Sequence, residues 1–209
     1  MTGRARPGSR GRRSPTIAER RAERAAETDP AVVLAAAVRF LEARPRSIGE
    51  VRRRLRYAGY PPGLVDGAVE RLVELGFLDD AGFARAWIES RDRARPRGER
   101  ALRVELAQKG VARDVTDAAL ENRRAEAVAR ADEESEGDGG PSVDEAAALR
   151  LLERRASQLG RVPDPRVRRQ RAYALLARNG FDPAVCATVA KRFAEGVQDD
   201  EDDAGDAED

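Results

Sequence analysis

Three times the chain spells the same pattern: Leu, three residues, Gly, an apolar residue, three residues, another apolar residue. The copies are Leu55, Gly59, Tyr60, Leu64; Leu106, Gly110, Val111, Val115; and Leu176, Gly180, Phe181, Val185. A glycine just past a helix end takes the left-handed conformation that other residues resist, and the residue after it packs back on the one five positions earlier. The pairs Leu55 with Tyr60, Leu106 with Val111 and Leu176 with Phe181 occupy the positions such a stop brings together. Each copy therefore predicts one helix ending and another about to begin. Gly76, with Leu72 before it and Phe77 after it, predicts a further stop.

Helix starts fall where these stops require them. Asp29-Pro30 and Asp182-Pro183 each place an N-capping acid before a first-turn proline, Asp114 can cap in the same way, and Ser142 with Glu145 makes a capping box. Between the signals, apolar residues recur at helical spacing, as in Leu34, Ala37, Val38, Leu41 and Val65, Ala68, Val69, Leu72. No segment alternates as a half-buried strand would. ARPR occurs at 43–46 and again at 94–97, its proline ten residues before the anchor leucine each time, so the first two copies are offset by 51 residues. The expected fold is all-α: an elongated array of three tandem three-helix repeats with disordered charged tails. Its expected boundaries are a basic tail (1–29), repeat 1 (30–78), repeat 2 (79–122), an acidic helix end and linker (123–142), repeat 3 (143–196) and an acidic tail (197–209).

Little in the chain can do chemistry. It contains no histidine and a single cysteine, and neither of the glycine-rich phosphate loops occurs. Asp79 and Asp80, in FLDDAGFARAWIESR (77–91), are adjacent carboxylates, yet they precede Phe83, Ala84, Trp87 and Ile88 on one helical face. That placement makes them helix caps, and Phe83 and Trp87 core residues. Cys186 reads as a small packing residue, and one cysteine fits a reducing compartment. No apolar run is long enough to span a bilayer. The expectation is a cytoplasmic, monomeric protein that is not an enzyme and needs no cofactor and no metal.

Charge is the remaining signal. Residues 1–16 carry five Arg and no acid, residues 199–209 carry eight acids and no base, and residues 30–196 keep 31 basic and 26 acidic residues, a net of +5. In the helix ending at Gly59, Ile48, Val51, Leu55 and Ala58 form the apolar side and leave Arg52, Arg53 and Arg56 outside. The second unit is crowded with Arg91, Arg93, Arg97, Arg100, Arg103 and Lys109. Arg46 matches Arg97, and Arg52 matches Arg103, across the 51-residue offset. Such regular placement suits a polyanion; the alternative is solvated arginine paired with nearby acids.

These residues resemble those of the bacterial RecX regulatory proteins, modulators of the RecA recombinase. FLDDAGFARAWIESR is similar to the family's segment between its first and second three-helix repeats. RGERALRVELAQKGV (97–111) is similar to the family's helix ending in Glu-Leu, two residues, Lys-Gly and an apolar residue. RSIGEVRRRL (46–55) and YALLARNGF (173–181) fit the corresponding helices of the first and third repeats. The resemblance implies partners: the RecA filament and the single-stranded DNA it coats, with duplex DNA bound weakly. It implies a non-enzymatic regulator that inhibits RecA ATPase and strand exchange. Helix-turn-helix-like reading of duplex DNA is the alternative that three-helix units also permit.

Overall fold

A computed structural model of the protein describes residues 14–134 and 140–205. Every regular element among the described residues is an α-helix, in the order α1 (Ile17–Ala25), α2 (Pro30–Leu41), α3 (Ile48–Ala58), α4 (Pro62–Glu74), α5 (Asp80–Ala94), α6 (Glu99–Lys109), α7 (Arg113–Glu134), α8 (Val143–Glu153), α9 (Ala156–Gly160), α10 (Pro165–Arg178) and α11 (Pro183–Gly205). Helices α2 to α4, α5 to α7, and α8 with α10 and α11 are the three repeats. In each one the first and third helices pack together. The third repeat carries the short α9 as an addition.

All four glycines expected to stop helices do so. Gly59, Gly76, Gly110 and Gly180 have φ of 105°, 73°, 84° and 82°, and they are the positive-φ residues of the described chain. The closing bond of the stop is made each time: Tyr60 N–H to Leu55 O, Phe77 N–H to Leu72 O, Val111 N–H to Leu106 O and Phe181 N–H to Leu176 O, at 2.9–3.4 Å. This returns an orphan carbonyl to a partner and turns the chain sharply into the next helix.

Three of the five expected acids cap the helices they precede, and of these Asp29 accepts the Ala31 N–H at 2.8 Å. Asp79 accepts the Ala81 N–H at 2.9 Å and Asp182 accepts the Ala184 N–H at 2.9 Å. Asp80 Oδ1 accepts the Ile48 N–H at 2.9 Å, so it caps the first turn of α3 rather than its own helix. Asp114 does not cap: α7 already starts at Arg113, because Val111 closes the preceding stop and only Ala112 lies between Val111 and the first residue of α7. The Asp114 carboxylate instead lies in the first turn, where the helix dipole favours it.

The expected basic tail is shorter than 1–29. Residues 17–25 form α1, started by a complete capping box between Thr16 and Glu19. Helix α1 buries none of its residues. Arg21 and Arg24 lie over the rings of Tyr57 and Tyr60 at 5.5 and 5.6 Å, and Arg24 donates to Ala58 O. At the other end α11 runs to Gly205, past residue 196 where the third repeat is expected to finish. The rest of both tails, 1–13 and 206–209, and residues 135–139 of the expected linker lie outside the described residues.

The chain divides into two compact units: one holds residues through Arg44 together with Val51–Phe77, the other Pro45–Glu50 and everything from Leu78. In the first, Val33 and Ala37 of α2, Val51 and Leu55 of α3, and Val65, Val69 and Leu72 of α4 are buried. The second has two cores. Ala84, Ile88, Leu102, Leu106, Val111 and Leu120 make one, with Phe83 and Trp87 against it. Leu152, Ala172, Leu176, Phe181, Cys186 and Phe193 lie in the other. Cys186 is thus the packing residue expected, and burial pushes its thiol up from its ordinary pKa.

Within the second unit, repeats meet through glycine. Gly49, in the first turn of α3, faces the stop of α6: a Cβ there would come within 2.7 Å of the Gly110 Cα. Gly98, the N-cap of α6, sits in the same way on Gly180 and Phe181, the stop of α10, and its N–H donates to Asn179 O. Ser47 seals the first contact, donating from its hydroxyl to Lys109 O at 2.6 Å.

Candidate nucleic-acid interface

The outward arginines of α3 and α6 are largely neutralised by carboxylates on the next helix. Arg52 Nε lies 3.1 Å from Asp66 Oδ1, and Arg56 Nη2 lies 3.2 Å from Asp66 Oδ2. One repeat later Arg103 Nε lies 3.0 Å from Asp117 Oδ1, with Glu99 at 3.1 Å from Arg103 Nη1. Arg52 and Asp66 stand fourteen residues apart, as do Arg103 and Asp117. The repeated arginine is therefore one half of a repeated ion pair joining the second and third helices of a repeat.

Repeat 2 builds a second cluster around Trp87. Its indole N–H donates to Glu105 Oε2 at 2.9 Å, and Arg91 Nε donates to the same oxygen at 2.6 Å. The Arg91 guanidinium and the Lys109 ammonium lie over the ring at 4.3 and 4.7 Å, and the Phe83 ring stacks alongside. Lys109 also pairs with Glu50 at 3.2 Å. Arg97 reaches Glu105 at 3.5 Å and donates to the Asn179 side chain. In repeat 1 the positions of Arg91 and Glu105 hold Phe40 and Arg54, and the contact becomes a cation over a ring at 5.8 Å. Trp87 is half-buried, so the packing expected of it holds for the ring and not for the polar edge.

The remaining sequence candidates are placed as follows. Arg46 is partly buried, and Arg53, Arg93 and Arg100 are exposed. The carbonyl of Arg93, with that of Ala94, accepts from Arg154, while the Arg93 guanidinium makes no ion pair among the described residues. Arg100 has no acidic partner among the described residues either. It lies beside Arg103 and Arg124 in a cavity of about 620 Å³ where the starts of α6 and α8 converge.

Two charged sites escaped the sequence reading. Glu99 accepts from Arg124 at 2.6 Å and is held below the usual carboxylate range by that bond, against the opposing effect of burial. Arg123, deep between α5, α7 and α8, pairs with Asp92 and Asp144. Because the Glu99 pKa is lowered by folding, its contribution is present above the unfolded carboxylate value, near pH 4.3–4.5, and is lost as pH falls through the folded one. Thermal melts between pH 6 and pH 3 should show wild-type stability declining at the acid end. Glu99→Gln should melt lower at pH 6 and lose less on acidification; parallel profiles would remove Glu99 from the acid response.

Three sequence models of RecX domains match the chain in order: the first three-helix domain at residues 34–72, the second at 79–120 and the third at 143–189. The chain is 32% identical over 166 residues to the regulatory protein RecX of Thermobifida fusca (strain YX), covering 78% of this chain and 80% of that one. It is 34% identical over 152 residues to the regulatory protein RecX of Mycobacterium ulcerans (strain Agy99), covering 73% and 79%. The crystal structure of RecX from Lactobacillus salivarius superposes with a TM-score of 0.63 at 16% identity, over 78% of this chain and 96% of that one, which shows a shared fold. With three RecX domains in order and relatives aligned along most of its length, the chain belongs to the RecX family of regulatory proteins.

Proposed function

We propose that this chain is a non-enzymatic regulator that binds the RecA filament on single-stranded DNA in the cytoplasm and lowers RecA ATPase and strand exchange. The observation that carries the reading is the ordered run of three RecX repeats, each closed by its own glycine stop. Family membership supports the regulatory role; RecA and single-stranded DNA are the partners that the sequence resemblance implies. Among the described residues no helix is long and apolar enough to cross a membrane, which is compatible with such partners.

Ion pairing within the fold favours some cations over others for such contacts. Arg52, Arg56 and Arg103 neutralise carboxylates, so reversing them would break the fold's own pairs before it altered a partner contact. Arg93 and Arg100 are exposed and make no ion pair among the described residues. The deciding measurement is the DNA-dependent ATPase of RecA from the same species against rising concentrations of this protein. A progressive fall is expected, and an unchanged rate at excess protein rejects the reading. Arg93→Glu with Arg100→Glu should raise the concentration needed for half-inhibition several-fold while leaving the melting temperature within a few degrees. Preference for one palindromic duplex over single strands would favour the helix-turn-helix alternative.

A further inference from the structure

The third repeat departs from the other two in its charge. Between Pro165 and Phe181 the chain has five arginines and no acid. Arg168 turns inward, fully buried, and donates from Nε to Val162 O. Arg166, Arg169, Arg171 and Arg178 stay exposed, and none of them makes an ion pair among the described residues. Asp164 and Asp182, the acids that flank this stretch, are spent on capping α10 and α11.

The repeat register explains the difference. Arg52 and Arg103 each lie seven residues before a stop glycine, and their partners Asp66 and Asp117 seven residues after it. The matching positions around Gly180 hold Tyr173 and Ala187. The neutralising carboxylate is gone, and an aromatic ring, 38% exposed, replaces the paired arginine. Arg166 and Arg169 precede Tyr173 by seven and four residues, which sets all three on one face of α10 along about 10 Å of helix.

We propose that Arg166, Arg169 and Tyr173 form a binding face for single-stranded nucleic acid, the guanidiniums on phosphates and the ring stacked on a base. Cations alone would suit any polyanion. The exposed tyrosine set among them is the element that favours unpaired bases over an acidic protein surface, because every base offers a face to stack on. The proposal rests on the filament reading only for which strand is met in the cell. Its test contains no RecA, so either can fail without the other.

The full-length protein is titrated against a fluorescent oligothymidylate, with anisotropy read at several salt concentrations. Arg166→Gln with Arg169→Gln should weaken binding tenfold or more and lower the log–log salt slope by about 1.4, two phosphate contacts on a single strand. Tyr173→Ala should cost at least fivefold with the slope unchanged, and Tyr173→Phe should bind like wild type. All three positions are exposed, and unchanged melting temperatures certify the fold. Wild-type affinity in the arginine variant, or no binding by the wild type, overturns the proposal. So does an arginine-dependent loss that Tyr173→Ala does not share and that poly-glutamate reproduces, which would assign the face to an acidic protein.

Discussion

Gly98→Ala should cost about 3 kcal/mol or more of stability and lower the melting temperature by roughly 6–12 °C, although it adds one methyl group at an ordinary backbone conformation. Gly98 has φ −73°, so no torsional strain is involved. The methyl would fall well inside contact distance of the Gly180 carbonyl oxygen and the Phe181 backbone. These are main-chain atoms of the next repeat's stop and cannot rotate away. Relief requires the α6 start to separate from the α10 end, which strips the Gly98 N–H from Asn179 O and opens the contact between repeats. Gly76→Ala is the matched control: its φ is 73°, but nothing lies within 4 Å of the added carbon. It should lose only the left-handed penalty, about 1–2 kcal/mol. Urea unfolding of the two variants separates close approach from torsion, and equal losses would refute the role given to the repeat contact.

The parts legible in the sequence are those encoded within one turn of chain. A stop glycine with its apolar pair lies within six residues, and a cap such as Asp79 or Asp182 acts on the N–H two positions away. Those rules located the four stops, and hence the helices between them. The outward arginines were misleading because their partners sit fourteen residues off, across a stop, where helical spacing has no reach. The information was nonetheless present: Asp66 and Asp117 repeat at the same 51-residue offset as Arg52 and Arg103. Helix α1 was missed for a different reason. Its capping box, Thr16 to Glu19, is plain, but it has no apolar stripe, and what holds it is arginine lying over Tyr57 and Tyr60. The second role of the Asp79-Asp80 pair depends on tertiary structure, since Asp80 caps a helix that begins 32 residues earlier.

Arg123→Leu should be the most damaging single change to the charged framework, costing about 3–5 kcal/mol. Arg123 is 7% exposed and makes three charge-assisted bonds. Nε and Nη2 donate to the two oxygens of Asp92 at 2.8 Å each, and Nη1 donates to Asp144 at 2.6 Å. Burial works against its charge, but the bonds to Asp92 and then Asp144 outweigh that and hold its pKa above the ordinary arginine value. Asp144 also accepts the Glu99 N–H through its second oxygen, so this one residue of α8 joins the start of α6 to α7. Leucine fills much of the volume yet leaves two carboxylates facing each other without a counter-charge. Thermal melts of Arg123→Leu and wild type at pH 7 test this directly, with the variant expected to melt well below the wild type. A variant that melts with the wild type would show that the network does not hold this junction. Adding Asp92→Leu and Asp144→Leu should recover much of the stability at pH 7, because removing a whole buried ion network costs far less than orphaning part of it. A triple variant as unstable as Arg123→Leu would show that the bond Asp144 accepts from the Glu99 N–H, rather than the charges, holds this junction together.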